Sequence, residues 1–542
     1  MRIGGSPVGR AMTTRLTTVS LLAASLLYLA GPARAAESPV AEASRAGDLA
    51  TLRELIDGGA DVNAQANDGS TGLLWAAYHA DPEMVQALLA AGADADAANN
   101  YGVTPLLQAS RTGDTAVMQA LLDGGADATL AHSQGETPLM AAARTGRVDA
   151  VALLLARGAD PDARDSFQEQ SALMWAAAEG HAEVVDALLN AGADPDFKAR
   201  VNPLTERSVN ADFPTGGFTA LMYATRNGHE DVVRRLAQGG ADLNLTNGDG
   251  ATAMMIAIVN DRFDLAATLL TLGADANDGS LYHAVEMRDA TTDWFAHDGS
   301  KLRADHLNER AALDLIVLFL EAGADPNKVF EGQMHSASMC CDTTANATPF
   351  YRAAVAADVE ALELLIAHGA DLAWSPSKPA GGGPGANANV GRPALMAAMN
   401  GGRGVPQSGG PGNLREGPPP FREPSNRSPA DAVRLLLEAG ANPDAVAADG
   451  TAPLHQAVLA RKLDLIRVLA EGGATFDIKN KDGRTPLYLA ENPPPERPPI
   501  AGAPPQDENR ASPEEVVALL RELMEAQGVP TEPSVAAASA SE

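Results

Sequence analysis

At 542 residues the chain could hold three or four ordinary domains. Its 70 acidic and 40 basic residues give a formal net charge of -30, a field that repels phosphate backbones and anionic membrane surfaces and so argues against a nucleic-acid partner. Hydrophobic residues make up 45% but aromatic ones only 4%, so a packed interior has to rest on Ala, Leu, Val and Met.

Residues 1–35 read as a secretory leader. Arg2, Arg10 and Arg15 supply the positive start, Leu16 to Ala30 the apolar stretch, and Ala33-Arg34-Ala35 a small-x-small cleavage site. The apolar stretch is shorter than the roughly 20 residues of a spanning helix and holds Thr17, Thr18, Ser20 and Ser25. Cleavage is the expectation, and retention as an anchor is the other outcome. Pro32 stands where a lipoprotein signal would carry its Cys, which argues against a lipid anchor. Only 7 of 40 basic residues are Lys, which with the Ala-rich composition suggests a GC-rich bacterium. A periplasmic or secreted, monomeric protein without a membrane span is then expected.

Beyond the leader a short phrase returns, Gly-Ala-Asp, usually continued by x-Asn or x-Asp. It starts at Gly59, Gly92, Gly125, Gly158, Gly192, Gly240, Gly273, Gly323 and Gly369, with degenerate copies at Gly440 and Gly473. Six of the ten intervals are 33 or 34 residues and the rest lengthen to 46, 48, 50 and 71. A fixed period with longer gaps signals a stacked repeat protein carrying insertions. Val117, Met118, Leu121 and Leu122 recur at helical spacing before Gly125, as do Val151, Leu154 and Leu155 before Gly158. The Gly predicts a left-handed helix end, and the Asp or Asn a turn. About ten residues on comes a second phrase, as in Thr104-Pro105-Leu106, Thr137-Pro138-Leu139, Thr348-Pro349-Phe350 and Thr485-Pro486-Leu487. Thr caps a new helix and Pro occupies its first turn. The predicted unit is turn, helix, turn, helix, and the fold class an all-α repeat solenoid.

Two phrases in register resemble the ankyrin repeat, whose unit carries Thr-Pro-Leu-His near its start and Gly-Ala-Asp near its end. The resemblance covers residues 38–492 plus a closing helix at 513–527. It implies about twelve units, with first helices near 39, 71, 104, 137, 171, 219, 252, 281, 348, 393, 453 and 485, in a solenoid over 36–529. The His of the phrase survives only at His455, so the family's Thr–His hydrogen bond is not expected at other copies. Unit 1 lacks the opening phrase and reads as an N-terminal cap. By the resemblance, insertions 197–216, 328–346 and 373–391 occupy the positions of β-hairpin fingers. Insertions 289–306, 400–428 and 493–511 fall between the two helices of a unit. The Gly/Pro-rich 400–428 reads as unstructured, and 530–542 as a disordered tail.

Catalytic motifs are missing from the sequence. His229-Glu230 opens a possible zinc-protease pair, but Val233 stands where the second His belongs. Gly381 to Gly385 lack the flanking strand and helix of a dinucleotide site and read as a linker. Turn Asp residues spaced 33 apart lie a unit from each other and make no dyad. A non-enzymatic protein without a cofactor is expected. The exception is Met334 to Asp342, which holds Met334, His335, Met339, Cys340 and Cys341, both cysteines of the chain among them. Soft sulfur with imidazole suits Cu(I) or Zn. Adjacent cysteines are a poor ligand spacing, however, and a Cys340–Cys341 disulfide or thiol pair is the plainer reading. A redox or partner-linking role is the third.

The resemblance also implies where a protein partner docks: on the fingers and the exposed end of each first helix. In register this strip is Tyr78/His79, Arg111/Thr112, Arg144/Thr145, Ala178/Glu179, Arg226/Asn227 and Val259/Asn260, with Tyr101, Phe167 and Phe218 near the fingers. Tyr and Arg often carry interface energy. The bland alternative is that the Arg residues only solubilise the inner helices and offset nearby Asp. Trp75 and Trp175, three residues earlier, are expected in the packing between units. Two functions follow: a scaffold that binds a protein outside the cytoplasm, or a metal or thiol-redox accessory built on residues 334–341.

Overall fold

The computed structural model describes residues 38–202, 215–289, 308–331, 346–378, 389–400, 428–494 and 510–531. The leader, residues 334–341 with the candidate metal ligands and cysteines, most of insertion 400–428 and the tail beyond 531 lie outside them.

The described chain forms twelve helix pairs. Units 1 to 3 hold α1 (Pro39–Ala46), α2 (Leu49–Asp57), α3 (Gly72–Tyr78), α4 (Pro82–Ala90), α5 (Pro105–Thr112) and α6 (Thr115–Asp123). Units 4 to 6 hold α7 (Pro138–Thr145), α8 (Val148–Ala156), α9 (Ala172–Glu179), α10 (Ala182–Asn190), α11 (Ala220–Asn227) and α12 (Glu230–Gln238). Units 7 to 9 hold α13 (Ala253–Val259), α14 (Phe263–Thr271), α15 (Ser280–Asp289), α16 (Ala312–Glu321), α17 (Pro349–Ala356) and α18 (Val359–Ala367). Units 10 to 12 hold α19 (Ala394–Ala398), α20 (Pro429–Glu438), α21 (Pro453–Ala460), α22 (Leu463–Glu471), α23 (Pro486–Glu491) and α24 (Pro513–Ala526).

The opening phrase caps the first helix of most units. Thr104 Oγ1 accepts the Leu107 N–H at 3.1 Å and Thr348 Oγ1 that of Tyr351 at 3.1 Å, satisfying a donor the helix cannot. The Gly of the Gly-Ala-Asp phrase has positive φ at every copy, from +77° at Gly59 to +103° at Gly273. A Cβ at Gly59, Gly92 or Gly125 would meet nothing within 4 Å. Backbone conformation, not space, therefore requires glycine there.

The acidic residues of the phrase do two jobs. The first Asp makes the local turn, as where Asp61 Oδ1 accepts the Asn63 N–H at 3.0 Å. The last residue reaches the next unit. Asn63 accepts from the Asp94 N–H (2.7 Å), Asp96 from Asp127 (2.9 Å), Asp162 from Asp194 (2.9 Å) and Asn244 from Asp275 (2.8 Å). This ladder crosses three insertions without a break: Asp196 to Asp242 at 2.8 Å, Asn277 to Asp325 at 2.7 Å and Asn327 to Asp371 at 2.7 Å. These three insertions thus leave the stacking register intact.

One continuous hydrophobic core runs from Val40 to Met524. Small residues such as Ala76, Ala142, Ala176 and Ala224 let first helices approach closely, while Leu88, Leu121, Leu154, Leu188 and Leu236 fill the space behind them, all fully buried. Described backbone closes the finger insertions at their bases. Strands β1 (Val201–Asn202) and β2 (Thr215–Gly216) pair antiparallel, Val201 opposite Gly216. Phe330 bridges Ala347, and the Gly391 N–H donates to Pro376 O at 2.8 Å. Among the described residues no helix is long and apolar enough to cross a membrane.

Candidate interaction strip on the first helices

The fourth, seventh and eighth residues after each N-cap share one helix face, because positions three and four apart are neighbours on a helix. In unit 2 these are Trp75, Tyr78 and His79. Their rings form a cluster, with Trp75 edge-on to Tyr78 at 5.6 Å and Tyr78 edge-on to His79 at 5.3 Å. Arg45 of unit 1 lies over the Trp75 ring at 5.8 Å. Tyr78 is 45% exposed and Trp75 half-buried. Trp75 does not join the core between units, contrary to the sequence expectation. It lies one turn before Tyr78 on the same face, and the neighbouring unit covers it with an Arg. Trp175 is intermediate: it packs partly on the core, and Arg144 covers its ring at 5.4 Å.

The arginines of the strip have intramolecular partners. Arg111 forms a short ion pair with Glu136, whose other oxygen lies 4.0 Å from Arg144. Arg226 stacks on Phe218 and Tyr223, both at 5.5 Å. Gln170 donates to the Tyr223 hydroxyl at 2.8 Å, and burial pushes that phenol above its ordinary pKa. A guanidinium drawn to an aromatic face by its charge still has N–H donors to offer a partner.

Two strip residues act mainly as staples between units. His79 Nε2 contacts Arg45 O at 2.9 Å, and Asn227 Nδ2 donates to Ala178 O at 2.7 Å. His181 and His229 make similar contacts to Arg144 O and Ala178 O, at 3.0 and 3.1 Å. At the fingers, Tyr101 and Phe167 are 66% and 70% exposed. Their backbone is set by Asx turns: Asn99 Oδ1 accepts the Tyr101 N–H and Asp165 Oδ1 the Phe167 N–H. A large ring held out from a fixed turn is a contact surface without a local packing duty.

From unit 7 to unit 9 most of the same register positions turn inward. Ile256, Val259, His283, Glu286 and Arg352 are all buried. Phe330 stands edge-on to His283 at 4.5 Å, and His283 Nδ1 contacts Glu286 at 3.0 Å. Arg288 binds Asp358 through two nitrogens, at 2.6 and 3.0 Å, and Glu360 at 2.7 Å. The Arg288 and Asp358 side chains are 2% and 1% exposed. Nearby, burial raises the Asp278 carboxyl above its ordinary pKa, against hydrogen bonds from Thr252 and Ser280 that favour the charged form.

Sequence reasoning placed Tyr78, Arg111, Arg144 and Arg226 on one strip but missed Arg45, Glu136, Gln170 and Tyr223. Reading the fourth residue after each cap, and the residue just before it, would have found Tyr223 and Glu136. His455 follows the family pattern with Ala452 in place of Thr: its Nδ1 accepts the Ala452 N–H at 3.2 Å and its Nε2 contacts Arg484 O at 2.9 Å. Among the described residues no group of three or more His, Cys, Asp or Glu is arranged to hold a metal ion.

The family described as "Ankyrin repeats (3 copies)" matches residues 40–132, 113–199, 201–280 and 425–493, together more than half of the chain. The chain belongs to the ankyrin-repeat family. Among solved structures, the human ASB11 ankyrin repeat domain is similar at 26% identity, over 44% of this chain and 99% of that one, with a TM-score of 0.37. No curated protein sequence matches. Ankyrin repeats generally mediate protein–protein interaction and are typically non-enzymatic.

Proposed function

We propose that this ankyrin-repeat protein is a non-catalytic scaffold outside the cytoplasm, binding a protein partner through the first-helix strip of units 2 to 6 and the fingers beside it. The observation that carries the reading is the pairing of exposed rings with stacked arginines. Tyr78, Tyr101 and Phe167 stand out from fixed backbone, while Arg45, Arg144 and Arg226 lie over Trp75, Trp175 and Tyr223. Aromatic and Arg side chains are those most enriched among residues that dominate interface energy. Their order in the free chain also lowers the entropy lost on binding.

The exposed rings give the cleaner test, since the strip arginines also hold Glu136 and the aromatic faces. Combined substitution Tyr78→Ser, Tyr101→Ser and Phe167→Ser should abolish capture of partners from a periplasmic extract, each exposed change costing within about 0.5 kcal/mol of stability. Undiminished capture would remove the strip as the binding surface. Export rests on the leader of residues 1–35 and is read directly from the N-terminus of protein purified from its native host. A start at Ala36 supports it; a cytoplasmic pool overturns it.

A further inference from the structure

The junction between units 9 and 10 is built differently from its neighbours. At the ladder position of unit 9 stands Ala373, which has no side-chain acceptor for Asn442 of unit 10. The first helix of unit 10, α19, has five residues and begins after Pro393, without a side-chain cap. Helices this short depend on tertiary support, since they close too few hydrogen bonds to offset nucleation.

Polar groups at the same junction are left unpaired. The third residue after the cap is apolar in units 2 to 7: Leu74, Leu107, Met140, Met174, Met222 and Met255. In unit 9 it is Tyr351, fully buried, and among the described residues its hydroxyl has no hydrogen-bond partner. Arg392 of unit 10, near enough for its charge to act on that phenol, has a buried Nε that is likewise unpartnered. Solvent reaches neither atom, so closing the junction costs both groups their hydration. By contrast, His455 at the same register place reaches the carbonyl of Arg484 in the next unit.

Unit 10 is instead tied forward. Arg392 donates to Gln456 of unit 11, Gln456 donates to Met396 O at 2.9 Å, and Asp444 accepts the Thr475 N–H at 2.9 Å. The junction of units 3 and 4 also lacks a ladder acceptor, at Thr129. It keeps the Thr137 cap, the eight-residue α7 and an Arg157–Asp123 ion pair at 2.7 Å. A missing rung alone does not distinguish a junction; the combination at units 9 and 10 does.

We infer that the solenoid opens reversibly between units 9 and 10, dividing into a block of units 1–9 and a block of units 10–12. In a repeat array each unit is held only by its neighbours, so one weak interface separates two cooperative segments. Opening restores water to Tyr351 and Arg392 and removes the support of α19, while the strip of units 2 to 6 stays assembled.

Hydrogen exchange on the full mature chain tests this. Amides of residues 394–398 should exchange about 100-fold faster than those of the helix at 220–227. The double substitution Ala373→Asn and Tyr351→Met restores the ladder acceptor and removes the orphan hydroxyl. It should slow exchange at 394–398 at least about 5-fold and leave 220–227 unchanged. Equal protection of the two segments in the natural protein overturns the inference. So does fast exchange at 394–398 that the double substitution does not slow, since the short helix would then be fraying by itself.

Discussion

Units 2 to 6 and units 7 to 9 place side chains at the same register positions and use them in opposite ways. In the first group these positions hold Trp75, Tyr78, Arg144 and Arg226, half-buried or exposed, each covered on one side by a neighbour and open on the other. In the second they hold Ile256, Val259, His283 and Arg352, all buried. A repeat fixes the direction of a side chain; what surrounds it is decided by the rest of the chain. The open group can meet a partner at little cost to the fold. The closed group carries charge into the interior and has become part of what holds the array together.

The contrast breaks most easily at the arginines. Arg288→Ala leaves Asp358 and Glu360 without their shared cation, and removing one partner of a buried pair costs about 3–5 kcal/mol. Arg111→Ala breaks an equally short pair that is partly open to solvent, and should cost less than about 1 kcal/mol. Urea unfolding of the two variants, followed by hydrogen exchange to localise the loss, measures the difference. Equal midpoints would mean that burial does not separate the two halves.

Acidity gives a second handle on the closed half. Because the folded-state pKa of Asp278 is raised, its protonated form is favoured on folding. That contribution is fully present below the unfolded carboxyl pKa of about 3.9 and is lost as pH rises through the folded value. Asp278→Asn should therefore be the more stable protein at pH 7, with the gap narrowing towards pH 4. A gap that widens on acidification would reverse the assignment.

The ladder applies to both halves. Asn277 accepts the Asp325 N–H and donates to Gly323 O. Asn277→Ala should cost about 1–2 kcal/mol for two modest bonds at the surface. Thr129→Asn, which supplies the missing acceptor between units 3 and 4, should raise the urea midpoint slightly, by about 0.5 kcal/mol in stability. No gain from it would mean the ladder records register without stabilising it.

The architecture was legible in the residues because each repeated one has a local duty. Thr104 and Thr137 cap, Gly92 and Gly125 turn left-handed, and Asp61 and Asp94 close turns within two residues, so spacing revealed the repeating unit and the family resemblance its count of about twelve. The strip was legible only in part. Its backbone register followed from the opening phrase, which placed Tyr78, Arg111 and Arg144. Pairing across units did not, because Arg45 meets Trp75, and Arg144 meets Trp175, only once the stacking distance is set.

The last residue of the phrase, where it is Asp or Asn, shows the same division. By sequence it was another turn former; in three dimensions Asn63 or Asp196 accepts the backbone of the following unit, across as many as 48 residues of chain at Asn277. Sequence by itself determined the unit and the face each side chain occupies, since caps, turns and helical period act within a few residues. Tertiary structure alone decided which faces stay open, which charges are buried, as at Arg288 and Asp358, and which buried polar atoms, such as the Tyr351 hydroxyl, lack a partner among the described residues. Burial and pairing depend on neighbours tens of residues away, and no local pattern encodes them.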